Sequence, residues 1–280
     1  MNARKFRKYL RQLPGDAFKV AVMLLFVFPF YYMMVTSFKT YSEAIRVPPT
    51  MWPENFTFEA YNTIFTKMNI DMGRYALNSV LITLGVIVIQ MLVMIPAAYA
   101  FARFRFFGKG LLFGFVLVAF MIPSQVTFIT VYLTMSDWNL IQTLWPQILP
   151  FGANAFGIFL LRQGFMQVPQ EIIESAKLDN ANDIQLMTRI MLPMSMSFVI
   201  TIALFSFVSH WNSYFWPLVM TNTEDVRPLT MAIQKIKSEE WGVIWTTIMA
   251  GNMILFVPVV IIYLFASKRI IQAFAYKGVK

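Results

Sequence analysis

The chain has no cysteine in its 280 residues. That excludes disulfides, thiolate-bound metals and cysteine-held iron–sulfur clusters, and leaves the redox compartment open. Charge is scarce too: 13% of residues are Asp, Glu, Lys or Arg, with 14 acidic against 23 basic, and His210 is the one histidine. No G-x-x-x-x-G-K-[ST] run occurs, so this chain has no P-loop with which to cradle a nucleotide phosphate. HExxH and GxSxG are missing as well, which removes the common routes to intramembrane hydrolysis and leaves no catalytic set.

Apolar residues fill the space. They make up 58% of the chain, with 28 Phe and 20 Met, and mean hydropathy is +0.60. A soluble core cannot bury that much, so the composition reads as an all-α integral membrane protein in contact with lipid. The net charge of +9 does not indicate nucleic acid, because the basic residues flank apolar runs instead of gathering on one soluble face.

A membrane span needs about 20 mostly apolar residues. Six segments meet that length: 18–38, 75–102, 111–134, 144–161, 194–220 and 245–267. Lys and Arg collect on the cytoplasmic side of spans. Sixteen of them, from Arg4 through Arg103, Arg105, Arg162, Lys177 and Arg189 to Lys280, fall on one side of this alternation, and seven fall on the other. Both termini are therefore expected in the cytoplasm. The first apolar run follows RKFRKYLR but is too long for a signal-peptide core and shows no small-x-small cleavage site, so it reads as a retained helix. Pro29, Pro96, Pro123 and Pro258 lie inside spans, where each removes a backbone donor and tends to kink the helix. Kinks suit helices that must move, and they are also common in membrane helices of every kind. Two outer loops are expected. One, 39–74, is turn-rich and then helical in FEAYNTIF; the other, 221–245, is polar enough to form an exposed docking surface.

None of the six segments contains Asp or Glu. Ion-coupled carriers usually keep such residues within the membrane despite their cost, although carbonyls and hydroxyls alone can build sodium sites. A transport pore driven from outside the chain fits better, and an ion-coupled secondary carrier or a non-transporting membrane scaffold are the alternatives.

The polar island 167–191, QVPQEIIESAKLDNANDIQLMTRIM, interrupts the apolar runs. In QEIIESAKL, Ile172, Ile173 and Ala176 separate from Glu171, Glu174 and Lys177 with helical spacing. DIQLMTRIML places Ile184, Met187, Ile190 and Met191 on one stripe. Between them, Asn180 is suited to the left-handed conformation that ends a helix and Asn182 to capping the next. The expected unit is helix, tight turn, helix, then Pro193 at the start of the fifth span. Helices that lie on lipid are normally rich in Lys and Arg on their polar face. Here Glu171, Glu174, Asp179 and Asp183 outnumber Lys177 and Arg189, which favours a basic protein groove and disfavours DNA.

The same residues resemble the EAA loop of ABC-importer permeases, commonly E-A-A-x-x-D-G-A with a later L-P. The matching positions are Glu174, Ala176, Asp179, Ala181 and Pro193. Ser175 stands where Ala is common and Asn180 where Gly is usual; Asn is the next residue most tolerant of positive φ. AAYAFARFRFFG (97–108), MIPSQVTFITVYL (121–133), FGIFLLRQGF (156–165), WNSYFWPLVM (211–220) and RPLTMAIQ (227–234) resemble the carbohydrate-uptake, MalG-like branch of these permeases.

That resemblance implies six transmembrane helices in the type I ABC importer permease fold, in a bacterial plasma membrane. It divides the chain into a cytoplasmic segment 1–17, a first helix and external loop 18–74, a permease core 75–267 with its coupling loop 167–193, and a tail 268–280. It implies a MalF-like second permease, two cytoplasmic ATP-binding subunits that hold ATP and Mg, and an external solute-binding protein. This chain itself has no cofactor and no metal. Glu174 would face basic groups of the ATPase, Ala176 and Ala181 would permit close approach, and the Asp179–Asn180 turn would set the angle between the helices. The tail AFAYKGVK departs from the family's G-x-x-x-G-A-V-K-G. The expected cargo is a sugar or oligosaccharide, with a polyol or phosphorylated sugar derivative as the alternative. His210, Trp211, Asn212 and Tyr214 are candidates for the translocation path, since aromatic faces stack on sugar rings and amides bond hydroxyls. They equally fit an interfacial aromatic belt and a histidine satisfied at a helix contact. Gln90 and Asn252 read as buried residues that join helices by hydrogen bonds.

Overall fold

The computed structural model describes residues 3–238 and 243–275. No strand occurs among them. In chain order the helices are α1 (Ala3–Ser37), α2 (Met72–Arg103), α3 (Lys109–Met121), α4 (Ser124–Asp137), α5 (Ala155–Met166), α6 (Gln170–Leu178), α7 (Asp183–Met194), α8 (Met196–Trp211), α9 (Phe215–Met220), α10 (Leu229–Ser238) and α11 (Trp245–Ala275).

Three stretches are long and apolar enough to cross a membrane unbroken: Gly15–Ser37, Met72–Arg103 and Trp245–Ser267. Two bent pairs raise the number to at most five if each pair is one span. The expected span 111–134 is broken rather than continuous. Ile122 is extended at φ −80° and ψ 119°, the conformation a following proline imposes, and Pro123 leads into α4 at 98° to α3. Pro96 and Pro258, in contrast, stay inside their helices. The expected span 144–161 is also corrected. Its first half consists of two 3₁₀ turns, Trp145–Gln147 and Leu149–Phe151, each with a proline near its start. The α-helix begins only at Ala155, where the Asn154 side chain caps it by accepting from the Gly157 N–H at 2.8 Å. The expected span 194–220 ends as α8 at Trp211, and a separate turn of helix, α9, follows.

The chain forms two compact units: residues 1–70 with 233–256, and residues 71–232 with 257–280. In the first, the loop after α1 is organised by polar groups taken out of water. Lys39 is buried; its Nζ donates to the Thr50 carbonyl at 2.6 Å and lies 5.1 Å from the Tyr32 ring centre. The Glu43 carboxylate, also buried, accepts from the Thr50 hydroxyl at 2.7 Å and the Glu54 N–H at 3.0 Å. Phe38 collects Phe56, Phe58 and Tyr61 around it. FEAYNTIF is helical as expected, as one α-turn followed by a π-turn.

In the second unit, α2, α5 and α8 share a core of Met94, Ala98, Tyr99, Ile158, Leu161, Phe165 and Ile202. Gly164 permits the close approach of α5 and α8: a Cβ there would lie 2.6 Å from the Phe198 ring. Gln90, only 3% exposed, is the polar hub. It donates to the Phe151 carbonyl at 2.9 Å and accepts from the Ser206 hydroxyl, joining helices as read from the sequence. Asn252 is half-buried.

Of the outer stretch 221–245, expected as an exposed docking surface, residues 239–242 lie outside the described residues and much of the rest is buried. Thr221, Leu229, Thr230, Met231, Ala232, Ile233 and Ile236 are buried. An irregular segment must satisfy its backbone groups, and α2 supplies partners: Asn78 donates to the Asp225 and Arg227 carbonyls at 2.8 and 3.0 Å, and the Ser79 hydroxyl accepts from the Leu229 N–H at 2.7 Å. Gln147 donates to the Val226 carbonyl at 2.9 Å. Residues 222–225 stay exposed.

Candidate functional site

The polar island folds as the helix–turn–helix its pattern requires. Pro169 precedes α6 with φ −56° and ψ 140°, a conformation that starts a helix without needing an N–H. After Leu178 the chain turns through Asn180 at φ 58°. The Asn180 N–H donates to the Lys177 carbonyl and the Ala181 N–H to the Ala176 carbonyl, each at 3.0 Å. These two bonds form a Schellman motif, and Asn180 occupies its left-handed position. Asn182 caps α7 in a reciprocal box: its side chain accepts from the Gln185 N–H at 2.9 Å, and the Gln185 side chain accepts from its own N–H at 3.0 Å.

The second helix departs from regular α geometry. Leu186–Met191 forms a π-turn, which returns the chain to the same face after five residues rather than four. Leu186 and Met191, five apart, are therefore the buried pair. Met187 and Ile190 pack beside them, while Ile184, expected on the same stripe, is 69% exposed. Together with Ile173, Leu186 and Met191 root the helix pair in the core of the second unit.

The rim of the pair is mixed. Glu171, Glu174, Ser175, Asp179 and Asn180 are exposed; Glu174 accepts from the Gln170 amide at 3.2 Å, and Ser175 donates to the Glu171 carbonyl at 2.9 Å. Between these polar groups Leu178 is 84% exposed and Ile172 38%. Ala176 and Ala181 are half-buried against this chain's own core. Pro193 is exposed in the last turn of α7, next to the 78° bend into α8.

Two side chains to which the sequence assigned no contact, Tyr99 and Arg103, hold the pair in place, and a third, Arg162, ties α5 to the end of α2. Arg103, at the end of α2, donates through Nη2 to the Phe165 and Val168 carbonyls at 2.7 Å each and through Nη1 to the Gln170 side chain at 3.3 Å. Tyr99 donates to the Asp183 carboxylate at 2.9 Å. Arg162 returns the contact from α5: its Nε donates to the Phe101 carbonyl at 3.0 Å, and its guanidinium lies 4.3 Å from the Phe113 ring centre. The i, i+4 spacing of Tyr99 and Arg103 was the available signal.

The path candidates do not converge on one space. His210 is half-buried, with Nδ1 2.8 Å from the Ser206 carbonyl and its ring edge-on to Phe151. Trp211 is buried and stacked on Phe207. Asn212 is exposed and donates back to the Val208 carbonyl at 2.8 Å, and Tyr214 is 36% exposed. A cavity of about 390 Å³ lies within the first unit and is lined by Lys39, Glu59, Lys67, Thr246 and Thr247 among others. It includes no residue of the helix pair. Among the described residues no three His, Asp or Glu side chains are placed to hold a metal. Residues 276–280 of the tail lie outside the described residues.

Long apolar helices, two bent pairs and a polar helix–turn–helix rooted in the packed core are the parts of a membrane transport subunit. Residues 93–275 match the family described as binding-protein-dependent transport system inner membrane component. The chain belongs to that family, the ABC importer permeases. It is 30% identical over 267 residues to the inner membrane ABC transporter permease protein YcjP of Escherichia coli, covering 92% of each chain. It is 25% identical over 268 residues to the sn-glycerol-3-phosphate transport system permease protein UgpE of Brucella abortus, covering 93% of this chain and 94% of that one. A crystal structure of a bacterial ABC transporter involved in the import of the acidic polysaccharide alginate contains a chain that superposes with a TM-score of 0.82 at 22% identity, covering 96% of this chain and 98% of that one. The fold is the type I ABC importer permease fold.

Proposed function

We propose that this chain is one of two permease subunits of an importer that moves a sugar or oligosaccharide, delivered by an external binding protein, across a bacterial plasma membrane. ATP and magnesium bind in two cytoplasmic partner subunits, and the second permease is a different, MalF-like chain. The protein crosses the membrane six times with both termini in the cytoplasm, α5 and its preceding 3₁₀ turns completing the sixth crossing. The helix pair α6–α7 is the contact through which the ATPase acts.

One observation carries this reading. The pair presents Leu178 at 84% and Ile184 at 69% exposure beside Glu171, Glu174 and Asp179, while its opposite side is locked into the core. Large apolar side chains bared next to an acidic rim mark a protein contact, since water leaves them exposed at a cost and anionic lipid is repelled. A basic, partly apolar cleft is the complement. A phosphorylated sugar derivative as cargo is the second reading, supported by the relative named as an sn-glycerol-3-phosphate permease.

The chain purified from its native membrane should carry a soluble P-loop ATPase with it, and uptake into vesicles should stop when ATP hydrolysis is blocked. Glu174→Lys should weaken the ATPase association roughly tenfold and leave membrane insertion intact. Uptake that persists on an ion gradient with ATP hydrolysis blocked would refute the reading.

A further inference from the structure

We propose that Tyr99 and Arg103 are positioning residues: the last turn of α2 holds the helix pair α6–α7 as one body and carries its displacement into the membrane helices. This rests on the coupling reading of the pair.

Covalently, the pair joins the membrane helices through two joints. One is the non-helical stretch Gln167–Pro169, and the other is the 78° bend between α7 and α8. Two joints alone would let the pair swing when pushed, and the push would be absorbed there. The α2 side chains bridge the first joint and tie the start of α7 directly, so neither helix depends on its joint alone. The Arg103 guanidinium bridges the last turn of α5 (Phe165 carbonyl), the joint itself (Val168 carbonyl) and the first residue of α6 (Gln170). A planar fork with several donors can span three such acceptors, and the point charge of lysine cannot.

Tyr99, one turn earlier on the same face, reaches Asp183, the first residue of α7. Tyr99 is 6% exposed and packs edge-on to Phe104 and Phe165, which fixes its hydroxyl towards the exposed Asp183 carboxylate. Each helix of the pair thus has its own polar tie to α2. The Arg162 bond to the Phe101 carbonyl, between those two ties, keeps α5 in register with the same turn. A push on either helix reaches α2 through hydrogen bonds that bypass both joints.

The absence of native cysteine makes paired spin labels straightforward. Arg189→Cys on the pair and Leu92→Cys on α2 are both exposed sites and lie outside the apolar and acidic rim assigned to the ATPase. Their separation would be measured by pulsed electron resonance in the membrane-reconstituted protein with its co-purified ATPase, with and without ATP. The unaltered background should give one narrow distance that ATP does not change. Tyr99→Phe, which removes one hydroxyl, should broaden it to roughly twice its width, as expected when a local tie opens. Asp183→Asn retains an acceptor oxygen and should keep the narrow distribution, while Asp183→Ala should match Tyr99→Phe. The double variant Tyr99→Phe with Asp183→Ala should be no broader than either single change, and Arg103→Lys should broaden it separately.

An unchanged width in Tyr99→Phe, or additive broadening in the double variant, would overturn the proposal. The measurement without nucleotide tests the tie even if no ATPase accompanies the chain. Loss of the ATPase would refute the coupling reading, whereas an unbroadened Tyr99→Phe with the ATPase bound would refute this inference alone.

Discussion

The turn at Asn180 offers a sharp test of how the helix pair is set. Its φ of 58° lies in the left-handed region, which costs ordinary residues about 1–2 kcal/mol and β-branched ones more. The Schellman bonds from Asn180 to Lys177 and from Ala181 to Ala176 depend on that conformation. Asn180→Val must either keep the turn against the strain or abandon it and lose two hydrogen bonds at about 1 kcal/mol each. Both routes destabilise the local turn by about 1–2 kcal/mol, which corresponds to roughly 5- to 30-fold. Amide exchange read by mass spectrometry with fragmentation that isolates residues 176–181 should therefore speed up by that factor in Asn180→Val. In Asn180→Gly it should stay close to the parent, because glycine adopts positive φ freely. The Asn182–Gln185 box is an internal control, since it lies after the turn and makes its own bonds. Equal exchange in the valine and glycine variants would mean that the left-handed turn does not hold the pair.

Two other perturbations have expected outcomes. Gly164→Ala should lower thermal stability in detergent by about 1–3 kcal/mol, since its Cβ would meet the Phe198 ring at 2.6 Å. Gly157→Ala should cost less, because the first atom it meets is the flexible Met94 thioether; the reverse order in melting midpoints would contradict this packing. In the loop after α1, burial alone would raise the Glu43 carboxyl, but the Glu54 N–H, the Thr50 hydroxyl, the Asn55 N–H and nearby Lys39 together hold it below its ordinary value of 4.5. A depressed carboxylate stabilises the fold above its unfolded pKa, and that stability is lost as pH falls through the folded value. Melting midpoints measured downward from pH 6 should therefore fall as pH drops through and below about 4.5, and the fall should be shallower in Glu43→Gln. A parallel decline in both proteins would rule out this role for Glu43.

Much of the helix pair was legible in one dimension because local chemistry decides it. Asn180 at a left-handed turn and Asn182 at a cap are choices made within four residues, by side chains that bond their own backbone. Of the apolar stripe read on α7, Met187, Ile190 and Met191 pack on the core, whereas Ile184 does not and Leu186 replaces it, because Leu186 and Met191 face inward together when five residues complete a turn. Residues 221–236 were misjudged for a different reason. Their polarity is real, but Asn78, Ser79 and Gln147 satisfy it from segments distant in the chain.

The sequence alone determined the membrane class, the helical content, the places where proline and asparagine punctuate helices, and the polar island with its turn. These follow from composition and from interactions a few residues long, which survive in any arrangement of the chain. The tertiary structure decided which apolar runs continue as helices, how sharply α3 and α4 bend, and which face of α7 is buried. It also decided that the last turn of α2 grips the polar helix pair, through Arg103 to Phe165, Val168 and Gln170 and through Tyr99 to Asp183. Those contacts join residues 62 to 84 positions apart. No local pattern encodes them, because their energy exists only after packing has removed water from between the partners.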